Sequence, residues 1–166
     1  MGKSSHKNGK EWEDILNKKF KEYRDKGQMY IIKIHTDWVV LRKGRQIVSA
    51  FPKSKSDCLD YIGILPNSEG TMIFEAKSTD NKTSFPLSLI KDYQYDLNNE
   101  LYKYTDYVFY LIRMKTLNEV YFAEAKDIQK FKDNNSRKSI PINYMRDNFI
   151  RCDDLDFLSI INTYKK

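Results

Sequence analysis

Two cysteines and two histidines are all the thiols and imidazoles that this chain of 166 residues holds. Cys58 and Cys152 have no CxxC partner, and His6 and His35 form no zinc-ligand spacing, which argues against a structural zinc or a disulfide framework. No apolar run approaches the ~18 residues that a membrane-spanning helix needs, and the N-terminus has no hydrophobic signal core. The expectation is an intracellular, reduced protein with no membrane association. Internal repeats are absent. What remains is enough chain for one domain with a real core and too little for two comfortable ones. Twelve Tyr and nine Phe make it aromatic-rich; such residues favour strands and cores, and they also stack on bases. The net charge of +6, from 29 basic and 23 acidic side chains, favours an anionic partner, although a uniformly basic solubility surface has the same balance.

The pattern of apolar residues predicts alternating elements. A small, polar and basic segment, residues 1–8, is expected to be flexible, ahead of a single domain over 9–166. From Lys10 to about Asp25, Trp12, Ile15, Leu16, Phe20 and Tyr23 form a helical stripe, with Gly27 as its stop. Met29 to His35 reads as a strand. Between about 37 and 51 the chain predicts a β-hairpin turned at Lys43-Gly44, with Arg42, Lys43 and Arg45 at a strongly basic tip. A polar loop, Lys53 to Asp57, leads into a strand from Asp60 to Leu65, and Pro66 to Gly70 has turn composition. Pro86-Leu87 is expected to open a helix running to about Tyr104. Tyr107 to Ile112 is a nearly unbroken apolar run, as in a central strand buried on both faces, and Glu119 to Ala123 pairs with it. Short helices follow near Lys126–Lys132 and Leu155–Tyr164. The order fits a mixed sheet flanked by helices.

The chemistry concentrates at Asp60 and Ile73-Phe74-Glu75-Ala76-Lys77. Strand alternation sends Met72, Phe74 and Ala76 to one face and Ile73, Glu75 and Lys77 to the other. If the two strands pair, Asp60 comes beside Glu75, and two carboxylates share a small volume with one ammonium. Paired carboxylates are hard oxygen ligands suited to Mg²⁺, and a neighbouring lysine can stabilise charge on a reacting phosphate. A surface Asp beside a solvated Glu/Lys pair would give the same pattern.

A longer ordered set of residues lifts the first reading over the second. Gly9-Lys10-Glu11-Trp12-Glu13, Asp60-Tyr61-Ile62-Gly63, Phe74-Glu75-Ala76-Lys77, Asn81 to Leu87, Gln94, Glu119 to Phe122 and Arg137-Lys138-Ser139-Ile140-Pro141 occur in that order. The set resembles the PD-(D/E)XK nuclease superfamily, and within it the RecU-type Holliday junction resolvases, from Gly9 to about Pro141. The resemblance implies an α/β fold: a single-domain, restriction-endonuclease-like core with a projecting basic hairpin, or stalk. By the same resemblance Asp60 and Glu75 match metal-binding carboxylates, with Gln94 near the metal, and Lys77 matches the lysine that stabilises the transition state. Glu13 matches a first-helix glutamate that approaches the centre. Arg137 and Lys138 match a phosphate-contacting stretch; Lys82 and Ser84 are expected at the active-site rim; and Arg42, Lys43 and Arg45 occupy the place of the stalk that enters the junction. The implied activity is Mg²⁺-dependent (alternatively Mn²⁺-dependent) endonucleolytic cleavage of four-way or otherwise branched DNA by a homodimer in a DNA-associated, cytoplasmic setting. The chain's compactness suggests a phage-encoded or compact bacterial version. A nuclease of ordinary duplex and a non-catalytic recombination accessory protein are the alternatives. One position departs from the pattern: Cys58 stands where such proteins usually carry Thr, and a neutral thiol is a poor Mg²⁺ ligand, so that contact is either lost or made by another group, Asp57 being one candidate.

Overall fold

The computed structural model of the protein describes residues 2–35, 38–52, 58–66 and 70–164. The expected polar loop at 53–57, with Asp57, and the tip of the turn at 67–69 lie outside the described residues. Helix α1 (Gly2–Asp25) buries Trp12, Leu16, Phe20 and Tyr23, a stripe at spacings of four, four and three that keeps one side of a helix against the core. Ile15, expected on that stripe, lies at its edge and is exposed. The helix starts at Gly2 and so takes in the segment read as a flexible N-terminus; Gly9 inside it costs only about 1 kcal/mol relative to alanine. It ends where expected. Gly27 adopts φ +64°, its N–H donates to the Arg24 carbonyl at 2.9 Å, and the Gln28 N–H donates to the Tyr23 carbonyl at 2.9 Å. This is a Schellman stop, which needs a left-handed residue at that position.

Strands β1 (Tyr30–Lys33), β4 (Tyr61–Ile64), β5 (Thr71–Thr79), β7 (Tyr107–Met114), β8 (Glu119–Glu124) and β10 (Ile150–Arg151) form one sheet in the order β1-β4-β5-β7-β8-β10. β5 and β7 are parallel and the remaining neighbours antiparallel. The sheet is mixed, with helices on both faces, as expected. The uninterrupted apolar run Val108–Ile112 is buried throughout because β7 is central and covered twice. On one face α1 and the C-terminal α5 (Phe157–Tyr164) pack over Tyr61, Phe74, Phe109 and Phe122. The Tyr23 hydroxyl ties the two helices together: it donates to the Leu155 carbonyl at 2.7 Å and accepts from the Phe157 N–H at 2.9 Å.

Aromatic stacking across the strands sets their register. Tyr61 stands opposite Phe74 and Phe74 opposite Phe109, with ring centroids 5.0 Å apart in both pairs and interplanar angles of 13° and 4°. A one-residue slip would expel this row and turn every functional side chain to the wrong face. Gly63 lies in the same strand pair, opposite Met72. A Cβ there would come within 2.3 Å of the Met72 Cε, and Met72 is fully buried, so Gly63→Ala should cost about 1–3 kcal/mol by overpacking. A shift in the urea midpoint with an unchanged slope would show it; an unchanged midpoint would mean that Met72 has room to move.

The other face is layered by α2 (Asp92–Leu101), α3 (Ala125–Asn134) and α4 (Ile142–Asn148). Here the expected single helix from Pro86 to Tyr104 is not what forms. Ser84–Pro86 is a short strand, β6, paired antiparallel with β9 (Ser139–Pro141), and the Leu87 N–H donates to the Lys138 carbonyl at 3.0 Å. A single 3₁₀ turn, Leu87–Leu89, then ends on Ile90 in extended geometry (φ −99°, ψ 120°), and the helix begins only at Asp92. Leu87 and Ile90 do face the core, but they reach it from a turn, so their helical spacing was misleading.

The hairpin of β2 (Trp38–Lys43) and β3 (Gln46–Pro52) is a separate two-stranded sheet. Its turn residues are Gly44 and Arg45, one residue later than expected, since Lys43 pairs with Gln46 and Gly44 takes φ +61°, the left-handed value that a two-residue hairpin loop demands. The register shifts between Leu41 and Arg42, so one residue bulges and the ribbon bends. Residues 40–50 are exposed on both faces: the hairpin projects from the domain. No helix among the described residues is long and apolar enough to cross a membrane.

Candidate active site

The register that pairs Tyr61 with Phe74 places their neighbours Asp60 and Glu75 side by side on the opposite face, the one covered by α2. The two carboxylates are bound into the backbone reciprocally. The Asp60 N–H donates to Glu75 Oε2 at 3.2 Å, and the Ala76 N–H donates to Asp60 Oδ2 at 3.2 Å. Lys77, next on the same face, donates from Nζ to Glu75 Oε1 at 2.7 Å. The Lys77–Glu75 pair is largely out of solvent, with side-chain exposures of 15% and 6%. Burial, and then the neighbouring Glu75 charge, push the Asp60 carboxyl up to about 7, while Lys77 and the Ala76 amide partly oppose the rise. One buried and one half-buried acid facing one ammonium leave the site short of positive charge.

That shortage is the physical test of whether a divalent cation fits. Among the described residues, no three or more His, Cys, Asp or Glu side chains form a ready-made cage. Mg²⁺ does not require one, since it keeps several waters and is held by one or two carboxylates together with substrate phosphate oxygens. Asp60 and Glu75 offer that donor set, and a cation between them would offset both the burial of charge and the mutual repulsion that raise the Asp60 carboxyl.

Around this centre the expected residues fall into two groups. Glu13, on α1, is held by the Lys33 ammonium; it is not hydrogen-bonded to either carboxylate, although its charge is felt at Asp60. Gln94 is buried, and its Oε1 accepts the Lys91 N–H at 3.0 Å, closing the first turn of α2. Cys58 is half-buried, with its thiol raised by burial and by the Glu75 and Asp60 charges, hence neutral. The second group lies apart. Arg42, Lys43 and Arg45 are exposed at the hairpin tip. The β6–β9 ladder separates Lys82 and Ser84 at one end from Arg137 and Lys138 at the other, since Ser84 pairs with Pro141 and Pro86 with Ser139.

Two nearby residues were not singled out from the sequence. Lys33 reaches Glu13 because β1 pairs with β4 in a register that sets Lys33 opposite Tyr61, a long-range fact without a local signal. Tyr93, on α2 beside Gln94, has a phenol raised by burial and then by the Glu75 and Asp60 charges; only its adjacency to Gln94 hinted at this.

Two acidic residues on paired strands, with a lysine two positions beyond the second, on a mixed sheet between helical layers, are consistent with a nuclease-like core. Within that class the family is specific. The model of the family described as Recombination protein U matches residues 7–164, and the chain belongs to that family. Proteins named Holliday junction resolvase RecU, from Staphylococcus aureus strains JH9, JH1 and Mu3 / ATCC 700698, are each 42% identical to it over 94 residues. The match covers 54% of this chain and 43% of each relative, so the chain matches somewhat less than half the length of these relatives.

Proposed function

We propose that this chain is a metal-dependent endonuclease that resolves four-way DNA junctions by paired phosphodiester hydrolysis. The observation that carries the reading is the convergence of Asp60, Glu75 and Lys77 in one largely buried volume, in a chain of the family whose relatives carry the resolvase name. Asp60 and Glu75 would hold the cation, Mg²⁺ or Mn²⁺, which when bound supplies an acidified water and neutralises charge on the phosphate. Lys77 is pre-aimed by Glu75; its ammonium donates to the phosphoryl oxygen as negative charge grows there during in-line displacement. Gln94 Oε1 accepts one N–H from Lys91 and keeps a second lone pair for the cation or its bound water, while its amide N–H groups can orient the attacking water. Glu13 acts at one remove, its charge balanced by Lys33.

Substrate choice is assigned to shape. The exposed hairpin carries Arg42, Lys43 and Arg45 at its tip and is the part suited to enter the open centre of a junction, while Lys82, Ser84, Arg137 and Lys138 contact phosphates along the arms. A C2 homodimer places two such sites on opposed strands of a nearly two-fold substrate.

The test compares an immobile four-way junction with a linear duplex of matched sequence, with and without Mg²⁺. Symmetric, metal-dependent nicks in the junction alone are expected. Replacing residues 40–49 by a short Gly-Ser turn should lower junction cutting at least tenfold while changing duplex affinity little. Equal cutting of both substrates by the intact chain would make it a general nuclease. Tight junction binding without any cutting would leave the accessory role.

A further inference from the structure

Around the start of α2 lies an open groove of about 690 Å³, well within the size of small-ligand sites. Its apolar floor is formed by Leu87, Ile90 and Tyr95, all buried. Cations dominate its rim: Lys91, Lys132, Arg137 and Lys138, against the single carboxylate of Asp92. Three features mark it as a built surface. The Lys132 ammonium lies over the Tyr95 ring, 3.7 Å from its centroid, so the face of an aromatic ring is presented to the groove and covered only by a flexible, part-exposed side chain. The Tyr95 hydroxyl is buried and has no hydrogen-bond partner among the described residues, although a buried phenol normally finds one. The groove also adjoins a candidate-site residue: Lys91 lines it, and the Lys91 N–H donates to Gln94 Oε1 at 3.0 Å.

The chemistry of the occupant follows. An apolar peptide would leave the cations unpaired, and the convex backbone of a duplex would touch the rim and leave the floor empty. An aromatic and aliphatic floor inside a basic rim is the composition that holds single strands, with bases on the ring and phosphates on the cations. We infer that this groove seats the unpaired part of a DNA strand leaving the carboxylate site, its phosphates on Lys91, Arg137 and Lys138 and a base on Tyr95 in the place now taken by the Lys132 ammonium. This deepens the proposed function and rests on it for the strand's direction, but binding in the groove needs neither metal nor hydrolysis.

The test uses the whole chain without divalent metal and follows the fluorescence anisotropy of a labelled oligothymidine and of a matched duplex. Tyr95→Leu should weaken single-strand binding about five- to tenfold and duplex binding less than twofold. Because Tyr95 is part of the core, Lys91→Glu, at an exposed position on the groove rim, serves as the variant with an undisturbed fold and should weaken single-strand binding by a similar factor. An oligothymidine carrying one 5-iodouracil should crosslink to Tyr95 on irradiation. Unchanged single-strand affinity in both variants, equal losses for single strand and duplex, or a crosslink mapped elsewhere would each overturn the inference. A chain that binds single strands through the groove but cuts no junction would fail the resolvase reading alone; one that cuts junctions with the groove variants binding normally would fail only this inference.

Discussion

Asp60→Asn should abolish metal-dependent cleavage and, at neutral to alkaline pH, make the metal-free protein more stable. The loss of activity follows from removing one of two anionic donors; a fall of at least about 10³-fold in single-turnover rate is expected. The gain in stability follows from the sign of the Asp60 shift. Its carboxyl is raised from 3.8 to about 7 in the folded protein, first by burial and then by Glu75, so the folded state holds that proton more tightly than the unfolded chain does. The stabilisation from protonated Asp60 is complete below about 3.8 and drains away as pH rises through about 7. Above that, the wild type carries two closely packed, largely desolvated carboxylates against one ammonium, whereas the asparagine variant carries one of each. At pH 8 the variant should be more stable by about 1–3 kcal/mol, a rise in Tm of several degrees for a chain of this size, and near pH 4 the two should melt together. Saturating Mg²⁺ should reverse the order by stabilising the wild type preferentially. A variant less stable than the wild type at pH 8 would show that Asp60 is a structural hydrogen-bonding group.

That trade between site and stability explains why some parts of this protein were legible in its sequence and others were not. The alternation Ile73-Phe74-Glu75-Ala76-Lys77 assigns faces by geometry alone, and Phe74, in the aromatic row, pins the register that brings Asp60 to Glu75. Local pattern and tertiary packing agree there, so the pairing of the carboxylates could be read directly. The same holds for β7, whose unbroken apolar run can satisfy only a doubly covered strand, and for Gly27, which ends α1. The failures arise where distant residues decide. The three-residue strand β6 exists because β9 supplies its partner from far along the chain, Phe85 pairing with Ile140, and nothing in Ser84-Phe85-Pro86 announces that. Leu87 and Ile90 keep a helical spacing while serving the core from a turn. β10 and α4, unassigned in the sequence, are too short to show a period. Lys33 is a strand-end lysine until β1 is docked on β4. The groove beneath Arg137 and Lys138 is invisible for the same reason, being assembled by the β6–β9 ladder from segments that are separate in the chain.

Lys77→Ala should act in the opposite direction to Asp60→Asn on metal affinity while matching its loss of turnover. In the wild type the Lys77 ammonium already compensates Glu75, so a divalent cation binding between Asp60 and Glu75 must share that carboxylate with it. Removing the ammonium leaves Glu75 buried with no cationic partner on its own strand, which should destabilise the metal-free fold by about 1–3 kcal/mol and make the site more receptive to a cation. Mg²⁺ should therefore raise the Tm of Lys77→Ala more than that of the wild type, and that of Asp60→Asn least. Junction hydrolysis should nonetheless drop about 10²–10³-fold at saturating metal, the cost of losing one preorganised donor to the developing phosphoryl charge, with junction affinity changed little. Lys77→Arg should restore the stability through its charge but little of the rate, because a planar guanidinium cannot place a single donor where the compact ammonium sits. Thermal shift against Mg²⁺ concentration and single-turnover cleavage read the two effects separately. If Lys77→Ala bound Mg²⁺ more weakly than the wild type, Lys77 would be organising the carboxylates and not competing for them, and the role assigned to it in the chemistry would pass to another group.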